Sequence, residues 1–202
     1  MVKLVDTHAH IFLSDFKDKN SVVSNAKNSD VQYVLMPNID LETVEQLHDL
    51  QKSYPGFAYG LMGLHPSSVN KDYKKVLNEM YSLFGANHYS GVGEIGLDFY
   101  WSKEFENEQI AALETQLQWA VDMNLPVSLH TRDATDKAIE ICKNFKNLRG
   151  VFHCFGGTLE QAEEIVQIGM YLGLGGVLTF RNSGLDKLVE RVSIENVVLE
   201  TD

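Results

Sequence analysis

Apolar and polar positions fall into two alternating patterns along this chain. Nearly unbroken apolar runs, rich in Val, Ile, Leu and Phe, occupy Leu4–His10, Val31–Asn38, Phe57–His65, Tyr89–Asp98, Pro126–Arg132, Gly150–Gly156, Tyr171–Thr179 and Asn196–Asp202. Runs of this kind suit parallel strands, which are covered on both faces and so lack the in–out alternation of a half-exposed sheet. Between them, apolar residues recur every three or four positions, the spacing that lines one face of a helix. Leu41, Val44, Leu47 and Leu50 follow Asp40, an N-cap candidate. Thr158-Leu159-Glu160-Gln161 has capping-box spacing and leads into Ala162, Ile165, Val166 and Ile168. The longest candidate helix is Phe105–Met123.

Eight strands with intervening helices predict an α/β fold, a (β/α)8 TIM barrel at the short end of that fold's size range. A doubly wound open sheet is the alternative. No low-complexity linker breaks the pattern, so residues 1–202 read as a single domain. The eighth run ends at Asp202, with the final helix of the barrel absent after it. The outer faces of the first and last strands are therefore expected to be bare, a flank that promotes association, and a monomer or weak oligomer is expected.

Composition narrows the function classes. The chain carries 17 basic against 28 acidic residues, a net charge of −11. A broad basic face that tracks duplex nucleic acid through counterion release is excluded, and any nucleic-acid chemistry must rest on local contacts and metal ions. Two cysteines, Cys142 and Cys154, are too few for a disulfide scaffold and fit a reducing compartment. The first residues lack the apolar run of a signal peptide, and no stretch approaches the roughly 18 apolar residues of a membrane span. A cytoplasmic location without membrane association is expected.

Chemistry-bearing residues gather at the C-terminal ends of the runs. In Asp6-Thr7-His8-Ala9-His10, residues two apart on a strand share a face, so His8 and His10 form a potential metal pincer. Alone, the pair reads equally as packed or surface histidines. Its weight comes from recurrence: Glu94, His130, His153 and Asp202 end four further runs, and in a barrel these ends converge on one mouth. Imidazole with carboxylate suits Zn, Mn, Fe or Ni, and Mg where fewer histidines engage. Six candidate ligands exceed one tetrahedral shell, which favours two metals bridged by a carboxylate, with Glu94 the candidate. Cys154 follows an inward His153, so alternation turns it outward as a small buried hydrophobe. His48 and His88 read as exposed helix and loop residues.

In order along the chain stand Asp6-Thr-His-Ala-His10, Gly63-Leu-His-Pro66, Gly93-Glu-Ile-Gly-Leu-Asp98, Leu129-His-Thr-Arg-Asp133, His153-Cys-Phe-Gly-Gly157 and Leu199-Glu-Thr-Asp202. This series resembles the TatD-type metal-dependent deoxyribonucleases, within the wider amidohydrolase-like barrels, over the whole chain. The resemblance implies two divalent ions, one at the positions of His8, His10, Glu94 and Asp202, the other at those of Glu94, His130 and His153. It implies that His65 lies near the scissile phosphate. Two departures stand out. The family runs some fifty residues further, beginning with a proline- and arginine-containing stretch, and it often has Ser where this chain has Gly156.

The expected chemistry is phosphodiester hydrolysis of DNA, of the 3'-5' exonuclease type, with two divalent ions (Mg, Mn or Zn) activating a water. Asp202 would orient that water or take its proton, and His65 would meet a phosphate oxygen or the leaving group. Arg132 and Arg181 are candidate phosphate clamps, or else solvated surface charges. Trp101 would stack on a base or cap the rim. The rival readings are a metal-dependent hydrolase of an amide, ester or lactone, and an inactive metal-binding protein. Many amidohydrolase barrels bridge their metals with a modified lysine on the fourth strand, where this chain has Glu94 and no lysine. Because Asp202 is the final residue, it is expected to hang on an untethered end and to leave its metal the less secure.

Overall fold

In the computed structural model, which describes residues 3–202, the apolar runs are parallel strands: β1 (Leu4–Asp6), β2 (Val31–Pro37), β3 (Ala58–Met62), β4 (Gly91–Asp98), β5 (Val127–Arg132), β6 (Gly150–Phe152), β7 (Tyr171–Leu174) and β8 (Val197–Leu199). They hydrogen-bond in sequence order in one eight-stranded sheet. That order describes a barrel and removes the doubly wound alternative, whose strand order reverses at a switch point. Seven helices intervene among the described residues: α1 (Lys19–Asn28), α2 (Val44–Ser53), α3 (Tyr73–Leu83), α4 (Glu106–Asp122), α5 (Thr135–Cys142), α6 (Leu159–Gln167) and α7 (Leu185–Val189). Every residue of β4 is buried, as a strand walled by the barrel interior and by α4 must be.

Local chemistry sets the helix starts. Both bonds of the Thr158 capping box form, so α6 begins where its sequence signature lies. α2 begins later than its apolar pattern suggests. Asp40 Oδ1 instead accepts the amides of Glu42 and Thr43 in a turn that delays the helix to Val44. On α4, buried Gln109 and Gln116, seven residues apart and so on one face, each grip a strand end as a backbone would. Gln109 accepts from the Asp98 amide (2.9 Å) and donates to the Asp98 carbonyl (3.2 Å). Gln116 does the same for Leu64, the residue before His65 (2.7 and 3.4 Å).

Between β8 and β1 the barrel closes by single bonds rather than a full ladder. Thr7 N–H donates to the Leu199 carbonyl (3.0 Å), and Asp202 N–H donates to the His8 carbonyl (2.8 Å). The outer faces here are bare, as expected: Leu4 is 39%, Val5 41% and Leu199 53% exposed. No helix among the described residues is long and apolar enough to cross a membrane.

Among the glycines, Gly96 leaves the least room for a Cβ. Its φ is +149°, and a Cβ there would drive into the carbonyl of His130 on the neighbouring strand. Gly96→Ala is therefore expected to cost about 2 kcal/mol or more by strain and clash. Gly85→Ala, which meets only the Ser82 carbonyl at 3.6 Å, should change stability by about 0.5 kcal/mol or less. Urea unfolding of the two variants, side by side, checks the difference.

Candidate metal centre

Apart from β4 and β5, the strands end sooner than their apolar runs. β1 stops at Asp6, β6 at Phe152 and β8 at Leu199, so His8, His10, His153 and Asp202 lie on the segments leaving the strands. Only isolated backbone bonds continue past those ends, such as Ala9 N–H to Leu35 carbonyl (3.1 Å) and His153 N–H to Leu129 carbonyl (3.0 Å). These are enough to aim the side chains inward. The loss of strand alternation also undoes the burial expected of Cys154. It adopts a left-handed φ of +46° and is exposed, lining a cleft of about 660 Å3 beside the mouth.

Glu94 stands at the centre, buried almost completely, and its two carboxylate oxygens face different neighbours. Oε2 lies 3.3 Å from His8 Nε2 and 3.1 Å from His10 Nε2. Asp202 Oδ1 joins this side at 3.7 and 3.8 Å from the same two nitrogens. Oε1 lies 2.9 Å from His130 Nδ1, 2.8 Å from His153 Nε2 and 3.2 Å from His65 Nε2. Thus the six sequence-predicted ligands and His65 share one bowl. Three overlapping groups in it have geometry fit for an ion: His8, Glu94 and His153; His8, His10 and Asp202; His65, Glu94 and His130.

His65 differs from the other imidazoles in one respect. Its Nδ1 accepts the Ser67 amide (3.1 Å), so in the neutral ring the proton sits on Nε2 and points at Glu94. A protonated nitrogen donates but cannot ligate, so His65 faces the bowl as a hydrogen-bond donor.

The donor set fits a divalent ion. A tetrahedral shell with arms of about 2.0–2.1 Å has ligand-to-ligand edges near ~3.3 Å, which is the spacing found around Glu94. His8 Nε2 and His10 Nε2 face each other at 3.0 Å, close enough for one cation, or one shared proton, to lie between them. Electrostatics point the same way. Burial alone would raise the Glu94 carboxyl, but the charge of His153 and hydrogen bonds from His10, His130 and His153 outweigh it and hold it well below the usual carboxylate range. Burial, reinforced by the nearby His153, pulls His8 down to about 4. Burial also opposes charge on His153, yet the Glu94, Glu200 and Asp202 carboxylates overcome it and push the imidazole up to about 9.

Sequence reasoning missed a layer of groups behind the donors. Ser128 Oγ lies 3.0 Å from His8 Nδ1, and Asp98 Oδ2 lies 3.1 Å from His130 Nε2. Glu200 reaches to 3.8 Å from His153 Nδ1, and burial pushes its carboxyl up to about 7. Asp6 accepts the Thr201 amide (3.1 Å) and hydroxyl (2.6 Å). With the Asp202–His8 backbone bond, this ties the segment expected to hang free. A signal was present: Asp6, Asp98, Ser128 and Glu200 each stand two or four residues from a donor in their own apolar run, the spacing that shares a face where the run is a strand.

The candidate substrate contacts are distributed unevenly. The Arg132 guanidinium lies over the Tyr100 ring (3.7 Å to its centre) and near Trp101 (5.2 Å). Trp101 does not cap the rim, since it is 72% exposed. Arg181 sits in an exposed turn before α7 and forms no ion pair among the described residues. His48 is half-buried and hydrogen-bonds the Tyr89 hydroxyl (2.7 Å), a packing role.

Comparisons with known proteins point to one family. The family model described as TatD related DNase matches residues 5–202. The metal-dependent hydrolase YabD of Bacillus subtilis is 30% identical over 203 residues, covering 98% of this chain and 79% of that protein. The 3'-5' ssDNA/RNA exonuclease TatD of a Pantoea species is 30% identical over 190 residues, covering 92% and 73%. The crystal structure of YjjV, a TatD homologue from Escherichia coli, superposes with a TM-score of 0.89 at 29% identity, covering 98% of this chain and 78% of that one.

Because His153 stands above neutral pH in the ion-free protein, it carries a proton that an incoming cation must displace. Uptake of Zn or Mn at pH 7–8 is expected to release about one proton from this site. Titration calorimetry in buffers of different ionisation enthalpy measures it, and buffer-independent heats would contradict the arrangement.

Proposed function

The chain belongs to the TatD-related DNase family, and we propose that it is a metal-dependent phosphodiesterase that removes nucleotides from the 3' end of single-stranded DNA. One observation carries the reading most directly: a single buried carboxylate presents one oxygen to each of two donor clusters, the arrangement a two-ion hydrolase needs. His8, His10, Glu94 and Asp202 would hold one ion, and Glu94, His130 and His153 the other. Bound ions would supply Lewis acidity to the phosphate and lower the pKa of a water.

The remaining chemistry belongs to the chain's own residues. Asp202, whose side chain is 43% exposed at the mouth, can accept a proton from the attacking water. His65 directs an N–H into the bowl, suited to a phosphate oxygen or to the departing alkoxide. Arg132, stacked on Tyr100, offers a guanidinium to the next phosphate along the strand, and exposed Trp101 offers a face to a base. Arg181 is a more distant candidate for the same backbone. These local contacts suit a chain end better than a long duplex, in keeping with the net charge of −11. The relative named as a 3'-5' ssDNA/RNA exonuclease supports the polarity and the substrate.

The protein, stripped and reloaded with Mg, Mn or Zn, is expected to shorten 3'-hydroxyl single-stranded DNA one nucleotide at a time and to spare a 3'-blocked strand. Glu94→Ala should lower the rate about a thousandfold, the equivalent of about 4 kcal/mol of lost ion-assisted stabilisation. Trp101→Ala should raise KM about tenfold, within the energy of one base stack, and leave kcat nearly unchanged. Absence of cleavage of DNA, RNA and a generic phosphodiester under every loading would overturn the reading. Cleavage of an ester or lactone alone would replace it.

A further inference from the structure

We infer that Asp98 is a positioning residue that fixes the His130 imidazole in its metal-binding tautomer and, with the same carboxylate, holds the mouth loop bearing Tyr100 and Trp101. The inference rests on the metal-binding part of the reading above, not on the identity of the substrate.

Asp98 ends β4 and is buried. Its backbone is clamped on both sides by Gln109, so its side chain projects from a fixed point. The two carboxylate oxygens divide their work. Oδ2 lies 3.1 Å from His130 Nε2. Oδ1 accepts the amides of Tyr100 (3.0 Å) and Trp101 (3.4 Å), closing the turn that carries both aromatic rings into solvent. From that turn the ring of Tyr100 meets the Arg132 guanidinium on the next strand, and the Phe99 amide donates to the Arg132 carbonyl (2.9 Å).

The tautomer follows from which groups must donate. His130 turns Nδ1 toward Glu94 Oε1 (2.9 Å) and His153 Nε2 (3.2 Å), the place of the second ion. For Nδ1 to offer a lone pair there, the ring proton must sit on Nε2 and find an acceptor. Asp98 Oδ2 is that acceptor, in the manner of carboxylate–histidine–metal arrangements. Asparagine in its place has the same shape and the opposite effect. The Tyr100 and Trp101 amides are obligate donors and would claim the side-chain oxygen, leaving the NH2 group to face His130 Nε2. That forces the proton onto Nδ1 and turns the ligand away from the ion.

The test uses the full chain. In zinc-loaded wild type with nitrogen-labelled histidine, NMR should show His130 bound through Nδ1 with its proton on Nε2. Binding through Nε2 would overturn the inference without any variant. Asp98→Asn should keep the melting temperature of the ion-free protein and lose about 10- to 100-fold in affinity for the zinc held by Glu94, His130 and His153, by chelator competition. Its ion-free His130 should carry the proton on Nδ1. Unchanged zinc affinity, or a lowered melting temperature with the wild-type tautomer retained, would reduce Asp98 to packing and overturn the proposal. If wild type binds zinc as described but cleaves no phosphodiester, the proposed function falls and this inference stands.

Discussion

Everything at the mouth of this barrel depends on one buried charge. Moving a carboxylate out of water costs several kcal/mol unless partners replace its hydration, and Glu94 has lost nearly all of its hydration. Its replacement comes from residues delivered by four other strands: His8 and His10 after β1, His65 after β3, His130 on β5 and His153 after β6. A shift of any one of those elements would remove one of the partners that replace that hydration. The same constraint explains why the donors sit so close together. Imidazoles at 2.8–3.3 Å from one carboxylate crowd their own lone pairs unless a proton or a cation lies between them.

The layer behind the donors converts a crowded bowl into an oriented one. An imidazole can bind an ion through either nitrogen, and its choice is settled by what the other nitrogen meets. Here the outer partners differ: a hydroxyl behind His8, a carboxylate behind His130, a backbone amide against His65. The carboxylate leaves the inward nitrogen of His130 free to ligate, the hydroxyl can serve either tautomer of His8, and the amide leaves the inward nitrogen of His65 protonated. One ring type thereby serves two purposes within a few ångströms, and the separation of His65 from the ligands is a matter of proton placement rather than distance.

Much of this was legible in the sequence, and the limits have physical causes. Apolar runs gave the strand count and their order, because parallel strands covered on both faces admit few polar residues. Recurrence of His, Glu and Asp at run ends gave the bowl. Strand lengths were overread, since an apolar run continues past the last ladder bond wherever the emerging segment still packs inside, as at His8 and His153. Cys154 was misplaced for the same reason: parity ceases to govern a residue once its backbone enters the left-handed region. Asp98, Ser128 and Glu200 shared parity with the donors, but parity says only that a side chain points inward. Which of several inward groups touches which ring depends on sub-ångström register between strands, which no periodicity encodes.

The seam between β8 and β1 shows how little ladder a barrel needs where polar groups converge. Three backbone bonds, the Thr7 hydroxyl on the Leu199 carbonyl and the paired contacts of Asp6 with Thr201 hold the ends together. On the outside of the same seam Leu4, Val5 and Leu199 remain bare. The inner face is thus organised by hydrogen bonds of fixed direction, and the outer face offers only non-directional apolar surface. Directional bonds fix Asp202 relative to His8 whether or not anything covers the outside, because Asp6 and the His8 carbonyl belong to β1 and the segment leaving it, which supplies the first pair of imidazoles. Coverage of the outer face would add burial energy to the seam without changing that geometry, so ligand placement and barrel stability are separable here in a way they are not around Glu94.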